Sequence, residues 1–305
     1  MRRTHRRMRY RMGGLVRLAR PRLHLLSFTL IREVVWGSLP FFLFAVFAKI
    51  YDKVDVTMLG MMASDAVVGW YGAAYRLFTS LFFLPYIFYT VAFPVLSRLW
   101  ATNPEGFRKA VHRGFAVLAT AAVGVCVSTF VLAGPVVDLL YTQAKFPGTA
   151  PALRILAFAL LAQYLNTVAV IVLQATDRQS RWTRAGAAAA VVNPAVNFIL
   201  IPLYGHLGAA VTTVITEAML LTLALRACPE GILDGSDLRA LIRALAAGTI
   251  LAGALLLGLR WGLLPAVVLG LPSYLLAALH LGALSRDDLG LVAEPLLARL
   301  SGRKQ

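Results

Sequence analysis

Residues 152–174 read ALRILAFALLAQYLNTVAVIVLQ, and Arg154 is the only charged side chain in this stretch. A helix rises about 1.5 Å per residue, so about 20 mainly apolar residues span the hydrocarbon core of a bilayer. Seven other stretches have comparable length and apolar character: 34–54, 72–97, 114–133, 185–202, 207–226, 241–259 and 261–283. The sequence therefore predicts an all-α fold, a multi-pass transmembrane helix bundle of about eight spanning helices.

The composition of the whole chain agrees with a membrane protein. Of the 305 residues, 59% are hydrophobic and 14% are charged, and the mean hydropathy is +0.73. Soluble proteins contain about 45–50% apolar and about 25% charged residues. A soluble chain of this length needs more polar side chains to cover its surface. The composition therefore excludes the soluble globular, disordered and fibrous classes.

The positive charge of the chain is unevenly distributed. The formal net charge is +16, and ten of the 30 Lys and Arg residues lie at or before Arg32. If this basic segment is cytoplasmic and eight helices alternate in direction, 14 of the other basic residues lie on the cytoplasmic side and six on the opposite side. Positive residues favour the cytoplasmic side. We therefore expect a protein of the cytoplasmic (inner) membrane with both termini cytoplasmic, whose basic segment contacts membrane lipid and no nucleic acid.

The predicted spans divide the chain into five segments. They are a basic cytoplasmic N-terminal segment (1–31), a six-helix lobe (32–226), a cytoplasmic loop (227–240), two additional transmembrane helices (241–283) and a cytoplasmic tail (284–305).

Sequence signatures of enzymes and metal sites are lacking. The chain has no Walker-type phosphate loop, and its five His and two Cys residues form no motif with metal-ligand spacing. Asp234 and Asp237 lie in a short polar stretch that we interpret as a solvated loop. We therefore expect a protein that is not an enzyme, with no catalytic residue, no cofactor and no metal.

Charged side chains are concentrated at the far end of the first predicted span. Lys49, Asp52, Lys53 and Asp55 lie within seven residues, and Arg76 enters the second span, where it can pair with Asp55. An ionised group inside a membrane is costly unless it is paired or hydrated. The lysines can extend to the interface as anchors, or the cluster can line a polar substrate path open to the outer face. Four charges in seven residues exceed what anchoring needs, so we take all five residues as substrate-path candidates.

Two of the later predicted spans also contain polar side chains. Glu217 lies midway in the sixth span and is a further substrate-path candidate; a neutral, structural carboxyl group is the equal alternative. Asn193 and Asn197 are one helical turn apart in the fifth span. Amides in this position often form hydrogen bonds between membrane helices, so we predict a helix-packing role for them.

Five motifs in order carry a resemblance to a known family. They are 55–60 (DVTMLG), 68–77 (VGWYGAAYRL), 93–99 (FPVLSRL), 152–157 (ALRILA) and the Asn- and Gly-containing stretch 193–210. Together they resemble the polysaccharide-transporter family of lipid-linked oligosaccharide (O-antigen) flippases. That family belongs to the superfamily that also contains multidrug and toxin extruders and the lipid II flippase.

The resemblance covers the C-terminal half of the family only. Full members have twelve to fourteen spans in two lobes, so the chain is expected to be the second lobe plus two extra C-terminal helices. It is then a fragment, the product of a misassigned start, or a half-transporter whose partner chain supplies the N-terminal lobe. The resemblance implies flipping of lipid-linked oligosaccharides by alternating access in polysaccharide biosynthesis. The alternatives are a cation-coupled multidrug exporter of the same superfamily, a membrane-embedded polymerase or ligase of the same pathway, and a truncated, non-transporting half-module.

Overall fold

The computed structural model of the protein describes residues 53–142 and 144–285, together with residues 32, 35 and 36. Within these ranges the chain forms helices and no strand, which confirms the all-α prediction. A helical segment, 53–62, precedes eight further helices. Their bounds are α1 (Asp65–Ser80), α2 (Phe83–Thr102), α3 (Pro104–Tyr141), α4 (Thr149–Ala175), α5 (Gln179–Tyr204), α6 (His206–Ala227), α7 (Gly235–Gly258) and α8 (Leu263–His280). All of them belong to one compact unit.

Seven of the predicted spans are confirmed. In the described residues, seven helical stretches are long and apolar enough to cross a membrane, and α1 with α2 forms the first of them, Asp65–Thr102. Most of the predicted span 34–54 lies outside the described residues, as do the N-terminal segment 1–31 and residues 286–305. The part of the chain that the structure describes is therefore a multi-pass helix bundle.

Several helices extend beyond the apolar stretches that predicted them, whereas α8 (Leu263–His280) lies within the predicted span 261–283. The predicted span 114–133 is the centre of α3, which begins at Pro104 and continues to Tyr141. Asn103 caps this helix, because its side-chain oxygen accepts a hydrogen bond from the backbone N–H of Gly106 at 2.9 Å. Proline at the first helical position fits the same start signal. Hydropathy detects the segment inside the bilayer, whereas capping residues decide where the helix begins.

Helix α4 lies at the centre of the bundle. It packs against α1, α2, α3 and α6, and it is the most buried of the described spanning helices. After Arg154 it contains no charged residue, and its many alanines allow neighbouring helices to approach closely. Its Tyr164 hydroxyl donates a hydrogen bond of 2.7 Å to the carbonyl of Leu81. This bond supplies a partner to a backbone acceptor at the break between α1 and α2.

Helices α7 and α8 pack against each other and against α3. Their backbones come into close contact at Gly258, where an added Cβ would collide with the backbone of Ala266. The Tyr274 hydroxyl of α8 donates a hydrogen bond of 2.6 Å to the carbonyl of Thr120 in α3. Small residues and interhelical hydrogen bonds of this kind hold helices together where the hydrophobic effect cannot.

The stretch that precedes α7 is a capped helix start that contacts α3. Asp234 accepts a hydrogen bond from the backbone N–H of Ser236 at 2.7 Å, and Asp237 accepts one from the backbone N–H of Asp234 at 2.8 Å. The hydrogen bonds from Ser236 hold the pKa of Asp234 below its ordinary value. Asp237 is buried and contacts the ring of His112 at 2.9 Å, while Arg108 pairs with Asp234 at 2.9 Å. The prediction that Asp237 is solvated was therefore wrong.

Candidate functional site

Asp55 is the centre of a buried polar network. Its side chain lies in the helical segment 53–62, and the residue is 6% exposed. Oδ2 accepts hydrogen bonds from the Tyr71 hydroxyl at 3.0 Å and from the Thr213 hydroxyl at 2.8 Å. Oδ1 accepts a hydrogen bond from the Asn197 amide at 2.6 Å. Because these partners lie on α1, α6 and α5, one carboxylate joins four helical elements.

The network continues between α5 and α6. The Asn197 amide nitrogen also donates to Oδ1 of Asn193 at 2.9 Å, one helical turn away. The Asn193 amide in turn donates to the Thr216 hydroxyl at 3.4 Å. Thr213 and Thr216 share one face of α6, since they are three residues apart. Glu217 follows on the same helix and is a second buried carboxyl residue.

The two described cations of the predicted cluster lie on an exposed face. Lys53 is exposed, and its Nζ lies 5.6 Å from the centroid of the Tyr75 ring. Arg76 is the next residue on α1 and is also exposed. The expected pair between Asp55 and Arg76 is absent, because Asp55 lies on the inward face of its helix and bonds to hydroxyl and amide groups instead.

Lys49 and Asp52 lie outside the described residues. The residues that sequence reasoning missed are Tyr71, Thr213 and Thr216, which supply hydroxyl groups to the network. A signal for them exists, because buried polar groups in a membrane need partners and threonines recur in the sixth predicted span. The sequence does not reveal which of these hydroxyl groups face the carboxylate.

The network can take up a small positive charge. Its oxygen atoms belong to a carboxylate, hydroxyl groups and amide groups, which are ligands that hard cations prefer. A proton on Asp55 is the other way to neutralise the carboxylate. Oδ1 of Asn197 is buried and has no hydrogen-bond partner among the described residues. It is therefore a spare acceptor for a hydrogen-bond donor or a cation.

A second group of possible ligands lies between α3 and α7. Donor atoms of His112, Asp234 and Asp237 are within 4.8 Å of one another. Arg108 occupies one oxygen of Asp234, and the helix cap uses oxygens of both aspartates. We therefore assign this group to holding α3 against α7 rather than to binding a metal.

Comparison with known proteins identifies a matching family model and several relatives. A family model described as a polysaccharide biosynthesis protein matches residues 10–146. The chain is 28% identical over 184 residues to the probable flippase AglR of Haloferax volcanii, which covers 60% of this chain and 39% of AglR. It is 28% identical over 130 residues to the uncharacterized membrane protein MJ1068 of Methanocaldococcus jannaschii, which covers 41% of this chain and 24% of that protein. The chain thus spans at most 39% of the length of these relatives.

The fold is similar to that of the lipid II flippase MurJ in its inward closed conformation. The TM-score is 0.65 at 15% sequence identity, over 83% of this chain and 55% of MurJ. At this identity the likeness shows the fold alone. The flippase names agree with the expectation of a transporter rather than an enzyme. The family match, the sequence relatives and the shared fold together support the resemblance to polysaccharide and lipid-linked flippases and agree with a multi-pass membrane protein.

Proposed function

We propose that the protein forms one lobe of a transporter that flips lipid-linked oligosaccharides across the cytoplasmic membrane during polysaccharide biosynthesis. The family match and the flippase names of the relatives support a lipid-linked substrate. The observation that supports the mechanism is the buried Asp55 network, which joins segment 53–62 to three helices. A carboxyl group at such a position is costly in a membrane and marks a functional site by default.

Asp55 couples ion binding to helix movement in this proposal. When it is ionised, it accepts hydrogen bonds from Tyr71, Thr213 and Asn197 and holds their helices together. A proton or cation on the carboxylate neutralises it and changes which groups donate and accept. The packing of segment 53–62 against α5 and α6 then has two arrangements, and a ligand that binds one of them better shifts the balance between them. Two such arrangements are what alternating access requires.

The exposed cations supply the path for the polar part of the substrate. Lys53 and Arg76 lie on the exposed face of the same two elements that hold Asp55 and Tyr71. A diphosphate and its sugars need a hydrated, positive route, because a charged group is costly in hydrocarbon. The polyprenyl tail can remain in lipid. Lys49 and Asp52 extend this proposed path, and Glu217 tunes its charge.

The transport unit that we propose has two lobes around a central cleft. Segment 53–62 and α1–α6 supply one lobe, and a second lobe, from the same or another polypeptide, faces it. The excess of basic residues on one side supports cytoplasmic positions for both termini of this chain. Rocking of the lobes opens the cleft first to one side of the membrane and then to the other.

The charged path can be tested by alanine substitution. Arg76→Ala, alone and combined with Lys49→Ala, is expected to lower export of the lipid-linked oligosaccharide by about tenfold or more, equivalent to about 1.4 kcal/mol of lost stabilisation. Export is measured in cells together with the amount of protein in the membrane, which should not change. Arg98→Ala, at an exposed position of α2, is the matched control. Export at the wild-type rate in the double variant would remove these cations from the path.

A further inference from the structure

A cavity of about 310 Å³ lies between α2, α4 and α5. This volume is at the small end of the range of about 300–1,000 Å³ that is typical of ligand sites. The walls combine aromatic rings with amide and hydroxyl groups. The rings belong to Tyr86, Tyr89 and Trp182, and the polar groups to Gln163, Asn166 and Thr167. None of the described residues that line the cavity carries a formal charge. Neither a phosphate nor a cationic compound therefore finds a countercharge there.

Asn166 lines this cavity and has a side-chain oxygen that accepts no hydrogen bond from the described residues. The residue is 3% exposed, and its Oδ1 is buried without a hydrogen-bond partner among the described residues. A buried acceptor without a partner is costly, because no hydrogen bond offsets its loss of water. A hydrocarbon tail has no donor to offer, so a lipid chain in the cavity would leave this oxygen unsatisfied. A ligand with hydroxyl groups can donate to it once the Asn166 side chain turns this oxygen toward the cavity.

The aromatic residues offer flat apolar surfaces beside these polar groups. Tyr86 is 69% exposed although it is a large aromatic residue. Tyr89 is held in place, because its hydroxyl donates to Gln174 at 2.6 Å and its ring stacks on Phe93 with centroids 5.7 Å apart. Trp182 completes the aromatic wall from α5. Aromatic rings pack well on apolar faces, while amides both donate and accept hydrogen bonds.

We propose that this cavity binds an uncharged sugar ring of the lipid-linked oligosaccharide. A sugar ring has a face of C–H groups, which packs on Tyr86 and Trp182, and a rim of hydroxyl groups, which bond to Gln163, Asn166 and Thr167. The proposal rests on the proposed flippase function and adds a second subsite to it. The cations Lys53 and Arg76 bind the diphosphate, and the α2–α4–α5 cavity recognises the sugar.

Competitive lipid binding tests this subsite. The probes are a polyprenyl diphosphate that carries a neutral disaccharide and the same lipid without sugar, offered together to the purified protein in nanodiscs and counted by native mass spectrometry. We expect the wild type to prefer the sugar-bearing lipid by about tenfold, which corresponds to about 1.4 kcal/mol. Tyr86→Leu and Asn166→Leu should both bring this preference close to one. Tyr86→Phe, which keeps the ring, should retain it.

Matched controls separate recognition from folding. Tyr204→Leu makes the same exchange at an exposed tyrosine outside the cavity and should retain the preference. Asn166→Leu should not lower the thermal unfolding midpoint, because Oδ1 has no partner to lose. A wild-type preference that persists in both cavity variants would overturn the subsite and leave the flippase proposal intact. Equal binding of the two lipids by the wild type would also overturn the subsite, and binding of neither lipid would overturn both proposals.

Discussion

Asp55→Asn is expected to stop transport while the protein stays folded. The amide has nearly the shape of the carboxylate and keeps one oxygen for the donors Tyr71 and Thr213. Its nitrogen faces the Asn197 amide, so one donor loses its acceptor, at a cost of about 1–3 kcal/mol. The amide carries no negative charge and cannot take up a proton or attract a cation near neutral pH. Transport should therefore fall by about 100-fold or more, which corresponds to about 2.7 kcal/mol.

Two further substitutions make the result specific to Asp55. Asp65→Asn, in the exposed first turn of α1, makes the same exchange outside the network and should change stability by less than about 1 kcal/mol. Asp55→Leu leaves three donors without their acceptor, so the thermal unfolding midpoint should fall sharply. Transport is measured in proteoliposomes, and folding by the unfolding midpoint. A folded Asp55→Asn protein that transports at the wild-type rate would show that coupling does not depend on this carboxylate.

Gly208→Ala is expected to disrupt the contact between α5 and α6. A Cβ at Gly208 would collide with the backbone carbonyl of Leu200, and backbone cannot move aside as a flexible side chain can. Overpacking typically costs about 1–3 kcal/mol and occasionally more. We expect a value at the upper end of this range. Because α5 carries Asn197 and α6 carries Thr213, the substitution should also displace the Asp55 network and lower transport.

Gly72→Ala is the control for Gly208→Ala. Gly72 lies in α1, and an added Cβ has no neighbouring atom within 4 Å. Alanine is favoured over glycine inside a helix, so this variant should be more stable by about 0.5–1 kcal/mol. The two variants are compared by their thermal unfolding midpoints in nanodiscs. If Gly208→Ala unfolds at the same temperature as the wild type, the close approach of α5 and α6 at this residue is not needed for the fold.

The seven spans in the described part of the chain could be predicted because hydropathy depends on adjacent residues alone. The lengths of helices such as α3 could not, because caps outside the bilayer set them; the Asn103-Pro104 start is a local signal that hydropathy ignores. The capping box before α7 is also local, since Asp234 and Asp237 have the required spacing. Its contact with His112 depends on packing and is not visible in the sequence.

Sequence reasoning pointed to some of the polar residues of the Asp55 network but not to the hydrogen bonds that connect them. Asp55, Asn193 and Asn197 stand out because polar groups are rare in apolar spans. The bonds between them were hidden, because Asp55 is 16 residues from Tyr71, 142 from Asn197 and 158 from Thr213. A one-dimensional pattern does not show which helix faces meet. Nearness in sequence favoured Arg76 as the partner of Asp55, whereas helix packing supplies hydroxyl and amide donors from distant segments.

Reconstituted flipping tests the proposed function most directly. The purified transport unit that contains this chain is placed in liposomes loaded with a polyprenyl-diphosphate oligosaccharide, and the sugars that reach the outer leaflet are measured with a glycosidase that cannot cross the membrane. The flippase proposal predicts faster exposure of the sugars than in protein-free liposomes, and loss of this gain with Asp55→Asn. Transport of a free hydrophobic cation, with no gain in exposure of the lipid-linked sugars, would contradict it and would indicate a multidrug exporter.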